Sequence, residues 1–230
     1  MKLRVCLLLS IFFGLAVKPV FSQESTPKWD NQLFIGNKAS WALKQKWRVS
    51  GELQTRLKND FKSLDRWFLE GQVNFLATRN WEFTLPLRYS IRSDENEFRP
   101  GLGFLYKMYG GEKFQVAHQV MWQVDIDPRE GKHGLRYVAF LNYLANEKLI
   151  PNLAAGLFYR WQDDFTGLQF IRVGGGLTYV IDVKHTLNFS YFVGITDTGE
   201  EWVYQGIPFL QLVININRDF RYLPAKYINF

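Results

Sequence analysis

Between Arg66 and Arg92 the side chains alternate between two characters for a full strand, pause for three residues, and alternate again. In the second arm Trp81, Phe83, Leu85, Leu87, Tyr89 and Ile91 hold one parity, and Glu82, Thr84, Pro86, Arg88, Ser90 and Arg92 the other. A period of two places each set on one face of a β-strand, whereas a helix would gather its apolar residues every three to four positions. The first arm sets Trp67, Leu69, Gly71, Val73, Phe75 and Ala77 against Arg66, Phe68, Glu70, Gln72, Asn74 and Leu76, and Thr78-Arg79-Asn80 joins the two. Strands in soluble domains run to roughly five or six residues, but a tilted strand that crosses a bilayer needs roughly nine to eleven. Arms this long, greasy on one side and wet on the other, predict an all-β chain: a transmembrane, antiparallel, up-and-down β-barrel.

The same alternation returns along the chain. It is regular at Trp47–Lys58 and over 114–127, and weaker over 33–43, 98–108, 135–144, 153–162, 169–180, 186–196 and 202–217. That makes eleven strands, and single-chain bacterial barrels have even numbers. The expected count is therefore ten to twelve, with twelve favoured and the extra strand drawn from 27–35 or from the tail 221–230. Connections after residues 43, 77, 108 and 180 are short, and those after 58, 92, 127, 162 and 196 are charged and mostly longer. The long stretch 145–152 is an exception. Short turns on one rim and longer loops on the other are what outer-membrane barrels show.

The first residues have a different character. Lys2 and Arg4 precede an apolar run over 5–16, followed by Val20-Phe21-Ser22, the pattern of a secretory signal peptide spanning residues 1–22, with a barrel of residues 23–230 after it. Removal of Lys2, Arg4 and Lys18 would lower the formal charge from +6 to +3, so part of the basic excess belongs to targeting. The remaining Lys and Arg are scattered, which argues against nucleic acid as a partner. Cys6 is the single cysteine and lies in the signal, leaving the mature chain no disulfide or thiol chemistry. Aromatic residues make up 17% of the chain, and Trp47, Trp67, Trp81, Trp122 and Trp161 are expected in interfacial girdles. Phe230, an aromatic last residue, is the expected signal for the barrel-assembly machinery; outer-membrane lipid is the other expected partner.

The wet face of such a barrel points inward. It would gather Arg48, Arg56, Arg88, Arg92, Lys107, Arg136, Arg160 and Arg172 with Glu52, Glu70, Glu82 and Asp125. Charges enclosed at low dielectric require partners, so ion pairs are expected, with Gln54, Gln72, Asn74, Gln115, Gln119 and Gln123 filling the remaining hydrogen bonds. One reading is a network that holds the barrel closed. Another is a narrow pore or cavity whose arginine surplus favours a small anionic solute.

Chemistry beyond that finds little support. His118 falls on the greasy face near a turn, and His133 and His185 in a loop and a turn, with no spacing that suggests a Ser-His pair. No His or Cys cluster has metal-ligand spacing, and no cofactor is expected. Asp125, Asp127, Asp163 and Asp164 at loop bases are candidates for Ca²⁺, but acidic residues there are commonly just solvated. Gly174-Gly175-Gly176 lacks the strand-turn-helix setting of a phosphate loop and reads as a close approach of neighbouring backbone.

The stretch from Trp29 to Asn217 resembles an uncharacterised outer-membrane barrel family of Gram-negative bacteria, known only as a domain of unknown function. The likeness rests on Trp29, Leu43-Lys-Gln-Lys-Trp47, Gly51-Glu-Leu-Gln-Thr-Arg56, Leu87-Arg-Tyr89, Phe158-Tyr-Arg160 and Arg172-Val-Gly-Gly-Gly-Leu-Thr-Tyr179. It implies a porin-like barrel in the outer membrane and brings no activity. Two alternatives are a lipid- or lipopolysaccharide-modifying barrel enzyme and a secreted lipocalin-like barrel with its apolar face turned inward.

Overall fold

The computed structural model describes residues 28–92, 96–126, 131–162, 165–199, 201–222 and 224. Residues 1–22, expected to be a signal peptide and holding Cys6, the tail residue Phe230, and Asp127, Asp163 and Asp164 lie outside the described residues.

Twelve strands follow one another: β1 (Trp29–Asn31), β2 (Leu33–Lys44), β3 (Trp47–Lys58), β4 (Ser63–Leu76), β5 (Trp81–Arg92), β6 (Asn96–Gly110), β7 (Phe114–Ile126), β8 (Gly131–Tyr143), β9 (Leu149–Trp161), β10 (Thr166–Val180), β11 (His185–Asp197) and β12 (Trp202–Asn215). From β2 to β12 each pairs antiparallel with the next, as hairpin connections demand. The ring closes where β12 meets β2, Phe209 opposite Phe34 and Asn215 opposite Ser40, and this seam is parallel. The twelfth strand comes from the amino-terminal side. It is not an extra stave: β1 lies on the same edge of β12, in the register that β2 continues, with Trp29 opposite Tyr204. The ring therefore has eleven long staves among the described residues, an odd number, and an odd number of alternating strands can close only in parallel.

The two rims differ less than expected. Connections of two to five residues join the strands at both ends, including 144–148 where a longer one is expected. Hydrogen bonding continues past the point where greasy alternation stops, so charged stretches expected to be loops are the outer ends of strands. The segment 149–152 is hidden for a related reason: Pro151 breaks the visible pattern, yet it sits in the β9–β10 ladder opposite Leu177.

Exposure follows parity. Leu85 and Leu87 are 53% and 54% exposed, while Arg88, next to Leu87, is 2% exposed. The apolar sides of the staves look outward and the charged sides are enclosed, the reverse of a lipocalin-type barrel. The interior is not uniformly polar, however. Charges crowd the inner faces of β3 to β6, and Phe34, Leu105, Ala117, Val138, Phe140, Ala154, Phe192, Ile207 and Phe209 form one apolar cluster opposite. A narrow lumen cannot solvate charge on all sides, so half of it is filled as a packed core. Gly174 and Gly176 allow that filling. A Cβ on either would stand 2.1 Å from a carbonyl oxygen of β11, which is the close backbone approach their sequence suggests.

Candidate functional site: an arginine-lined cavity at one rim

Register decides which inward charges meet. Glu70 and Arg88 are direct cross-strand partners on β4 and β5: Arg88 Nε donates to Glu70 Oε2 at 2.8 Å, and Nη2 lies 2.7 Å from the same oxygen as an ion pair. Deeper along β5, Glu82 receives Lys107 Nζ at 2.8 Å and stands 3.7 Å from Arg48. Glu52 on β3 reaches across β2, accepting from Gln211 Nε2 of β12 at 2.9 Å, from Gln54 at 3.2 Å, and facing Lys38 at 3.6 Å. Gly36 of β2 lies between them, where a Cβ would meet Gln211 Cγ at 3.5 Å and Glu52 Oε1 at 3.6 Å in ordinary contact.

Toward the other rim the balance changes. A cavity of about 350 Å³ opens there, and among the described residues seven arginines line it: Arg56, Arg66, Arg92, Arg99, Arg136, Arg160 and Arg172. Asp65 and Asp197 share the lining. Asp125 bonds both Arg99 and Arg160, the latter at 3.2 Å. Glu97 engages Arg99 and lies 3.7 Å from Arg66 and 3.8 Å from Arg92, and Asp65 bonds Arg66 at 2.8 Å. Among the described residues, seven cations thus meet four carboxylates.

The cavity has a floor. One inward position deeper on the surrounding strands stand Gln54, Phe68, Ser90, Met121, Val138, Phe192 and Ile207, none more than 2% exposed. Beneath them Glu52, Leu105, Gln119, Ser190 and Phe209 are as well sealed, and Phe140 is buried beside them. The waist beneath the cavity is lined by side chains sealed from water, which makes the cavity a cup.

Of the arginines that sequence parity places inside, Arg56, Arg92, Arg136, Arg160 and Arg172 come together at this cup, with Asp125 beside them. Arg48, Glu52, Glu70 and Arg88 are buried below it. Arg66 and Arg99 line the cup as well, and the parity that turns Lys107 inward on β6 also turns Arg99 inward. Glycines and Pro100 blur that strand and conceal the signal. The cup's aromatic furniture, Phe34 and Phe170, carries no signal at all in a face read as polar.

The girdle tryptophans divide between the rims. Trp47 and Trp81 begin β3 and β5 and lean on Phe75 and Tyr106, at ring centroid distances of 4.7 and 4.6 Å. Trp67, Trp122 and Trp161 stand toward the cup's rim, and Trp122 stacks on His133 at 5.8 Å. His118 sits on the outer face of β7 near the 111–113 turn, where its Nδ1 hydrogen-bonds the Tyr137 hydroxyl at 2.7 Å. His185 pairs with Asp182 in the 181–184 turn. Each histidine is occupied on the outer surface or a turn, separate from the other two. No group of three or more His, Cys, Asp or Glu among the described residues is placed to hold a metal ion.

Residues 31–205 match the family described as "Protein of unknown function (DUF2490)". The chain belongs to this family. No curated protein matches it. Among solved structures, the DUF2490 chain is similar to the NanC porin, with 11% identity and a TM-score of 0.52 over 77% of this chain and 94% of that one. At that identity the likeness establishes a porin-like barrel fold.

Proposed function

We propose that this DUF2490 protein is an integral outer-membrane barrel, delivered by the signal peptide of residues 1–22 and inserted by the barrel-assembly machinery through the segment ending in Phe230. It is not an enzyme: it holds a small anionic solute in the arginine-lined cup. The observation that carries this reading is the surplus, among the described residues, of seven arginines over four carboxylates around a closed-floored cavity. Arg56 and Arg172 are enclosed cations with no carboxylate within 4 Å among the described residues; such cations favour an anion from solution, and a low-dielectric wall strengthens that preference. The apolar outer face supports the location. From Trp81 to Ile91, beside Trp67, the strand runs about 33 Å, which at a barrel tilt near 40° spans about 25 Å of height, the thickness of the apolar band in such barrels.

Fractionation and bilayer recording test the reading together. The protein is expected in the outer-membrane fraction with heat-modifiable migration, and the refolded barrel is expected to give no steady ohmic conductance because of its floor. Recovery in the soluble fraction would refute the location, and a stable current without cation–anion discrimination would refute the anion cup.

A further inference from the structure

The arginines of the cup are not equivalent. Arg66, Arg92, Arg99 and Arg160 each have a carboxylate within 4 Å. Arg56 and Arg172, both 7% exposed, have none among the described residues. The Arg56 guanidinium lies over the Phe34 ring at 4.2 Å and faces Phe68 at 5.2 Å. That of Arg172 lies over Phe170 at 4.4 Å and near the same Phe34 at 5.7 Å. Each is steadied by one amide oxygen. Arg56 Nε donates to Gln54 Oε1 at 2.7 Å, and Arg172 Nη2 donates to Gln205 Oε1 at 3.3 Å. Arg56 Nη2 and Arg172 Nε are buried with no acceptor. A buried donor on a cation costs free energy unless something accepts from it.

We infer that Arg56 and Arg172, gathered around Phe34, form the oxyanion subsite of the cup, and that its ligand is the carboxylate of a small organic acid. This deepens the anion-cup reading and rests on it. Rings beneath and beside the guanidiniums leave their in-plane N–H edges as the free donors, and a planar carboxylate matches such an edge with two parallel hydrogen bonds. Asp65 lines the same cavity, which limits the local charge surplus and favours a singly charged group over a doubly charged one. The volume, about 350 Å³, accommodates a small organic molecule and exceeds what a bare inorganic ion needs. Gln32, Gln169 and Thr196 on the wall offer hydrogen bonds to the ligand's body.

The test measures butyrate and inorganic phosphate binding by calorimetry on the refolded full barrel in detergent micelles at constant ionic strength. The most informative variant is Gln205→Glu. Gln205 Oε1 already accepts from Arg172 and, at 2.9 Å, from Thr196 Oγ1, so Q205E places an internal carboxylate against Arg172 while keeping every arginine and all local packing. Losing a charge-assisted pair of bonds weakens binding roughly 10- to 100-fold, so Q205E, Arg56→Lys and Arg172→Lys are each expected to weaken butyrate binding by that factor. Arg79→Lys, in the 77–80 turn at the opposite rim, is expected to change it little, and each variant's heat-modifiable migration confirms the fold. If the unaltered protein takes up neither anion, the anion-cup reading falls and the subsite with it. If it binds butyrate and Q205E binds equally well, the cup stands and the subsite is wrong. Phosphate bound as tightly as butyrate would overturn the assignment to a carboxylate.

Discussion

Glu70 and Arg88 lie opposite each other on adjacent staves, both nearly sealed from water. Removing one member of such a pair leaves a bare buried charge, costing about 3–5 kcal/mol, whereas replacing both with apolar groups of similar size is close to neutral. Glu70→Leu is therefore expected to destabilise the refolded barrel by about that amount, and adding Arg88→Met to recover most of it, as read from urea unfolding in lipid. Asp182 in the 181–184 turn behaves differently because it is exposed. Its carboxylate accepts from the His185 ring and from the backbone N–H groups of Lys184 and His185, which push its pKa down to about 2. A depressed carboxyl pKa means the turn's ordering is complete above the ordinary carboxylate range and is lost as pH falls toward 2. Carbon-detected NMR titration of Asp182 is expected to show a midpoint near 2; a midpoint at the ordinary value for Asp, near 3.9, would contradict the geometry. Alternation marks Arg88, Glu70 and Arg172 as inward in the sequence, but not who meets whom. Arg160 reaches Asp125 although its strand, β9, lies two staves from β7, a contact set by barrel curvature.

At the scale of strands, the seam between β12 and β2 is the one parallel pairing of long staves, and parallel ladders are slightly weaker per residue than antiparallel ones. The bond from Gln211 to Glu52 passes over Gly36 and ties β12 to β3 from inside. Gln211→Leu is expected to raise amide exchange in β2 and β12 while leaving β7 and β8 protected. Equal protection of all staves would show that the strap contributes nothing. The seam could not be read from sequence, because strand count and closure depend on where pairing ends, and β1 looks like an independent strand until its register is known. The strands themselves were legible, since each buries one face only and that leaves a period-two imprint. Loop length was not: the imprint disappears where both faces become wet, while the ladder runs on.

For the whole molecule, one interior combines a charged half, an apolar half and a cup at a single rim. The sequence marks the arginines that enter the cup by parity. It is silent on the floor, because Phe34, Phe68, Phe192 and Phe209 occupy the parity otherwise used by polar side chains. The account depends on the outward direction of the greasy faces. The single cysteine, Cys6, precedes the strands, so with Cys6→Ser single spin labels can be placed freely, and the decisive measurement is collision accessibility by electron paramagnetic resonance in lipid vesicles, with labels at Leu87 and Gln119. The account predicts that the Leu87 label collides with membrane-dissolved oxygen and not with a water-soluble nickel chelate, and that the Gln119 label is shielded from both. A Leu87 label reached by the nickel chelate, with oxygen no more accessible than at Gln119, would contradict it.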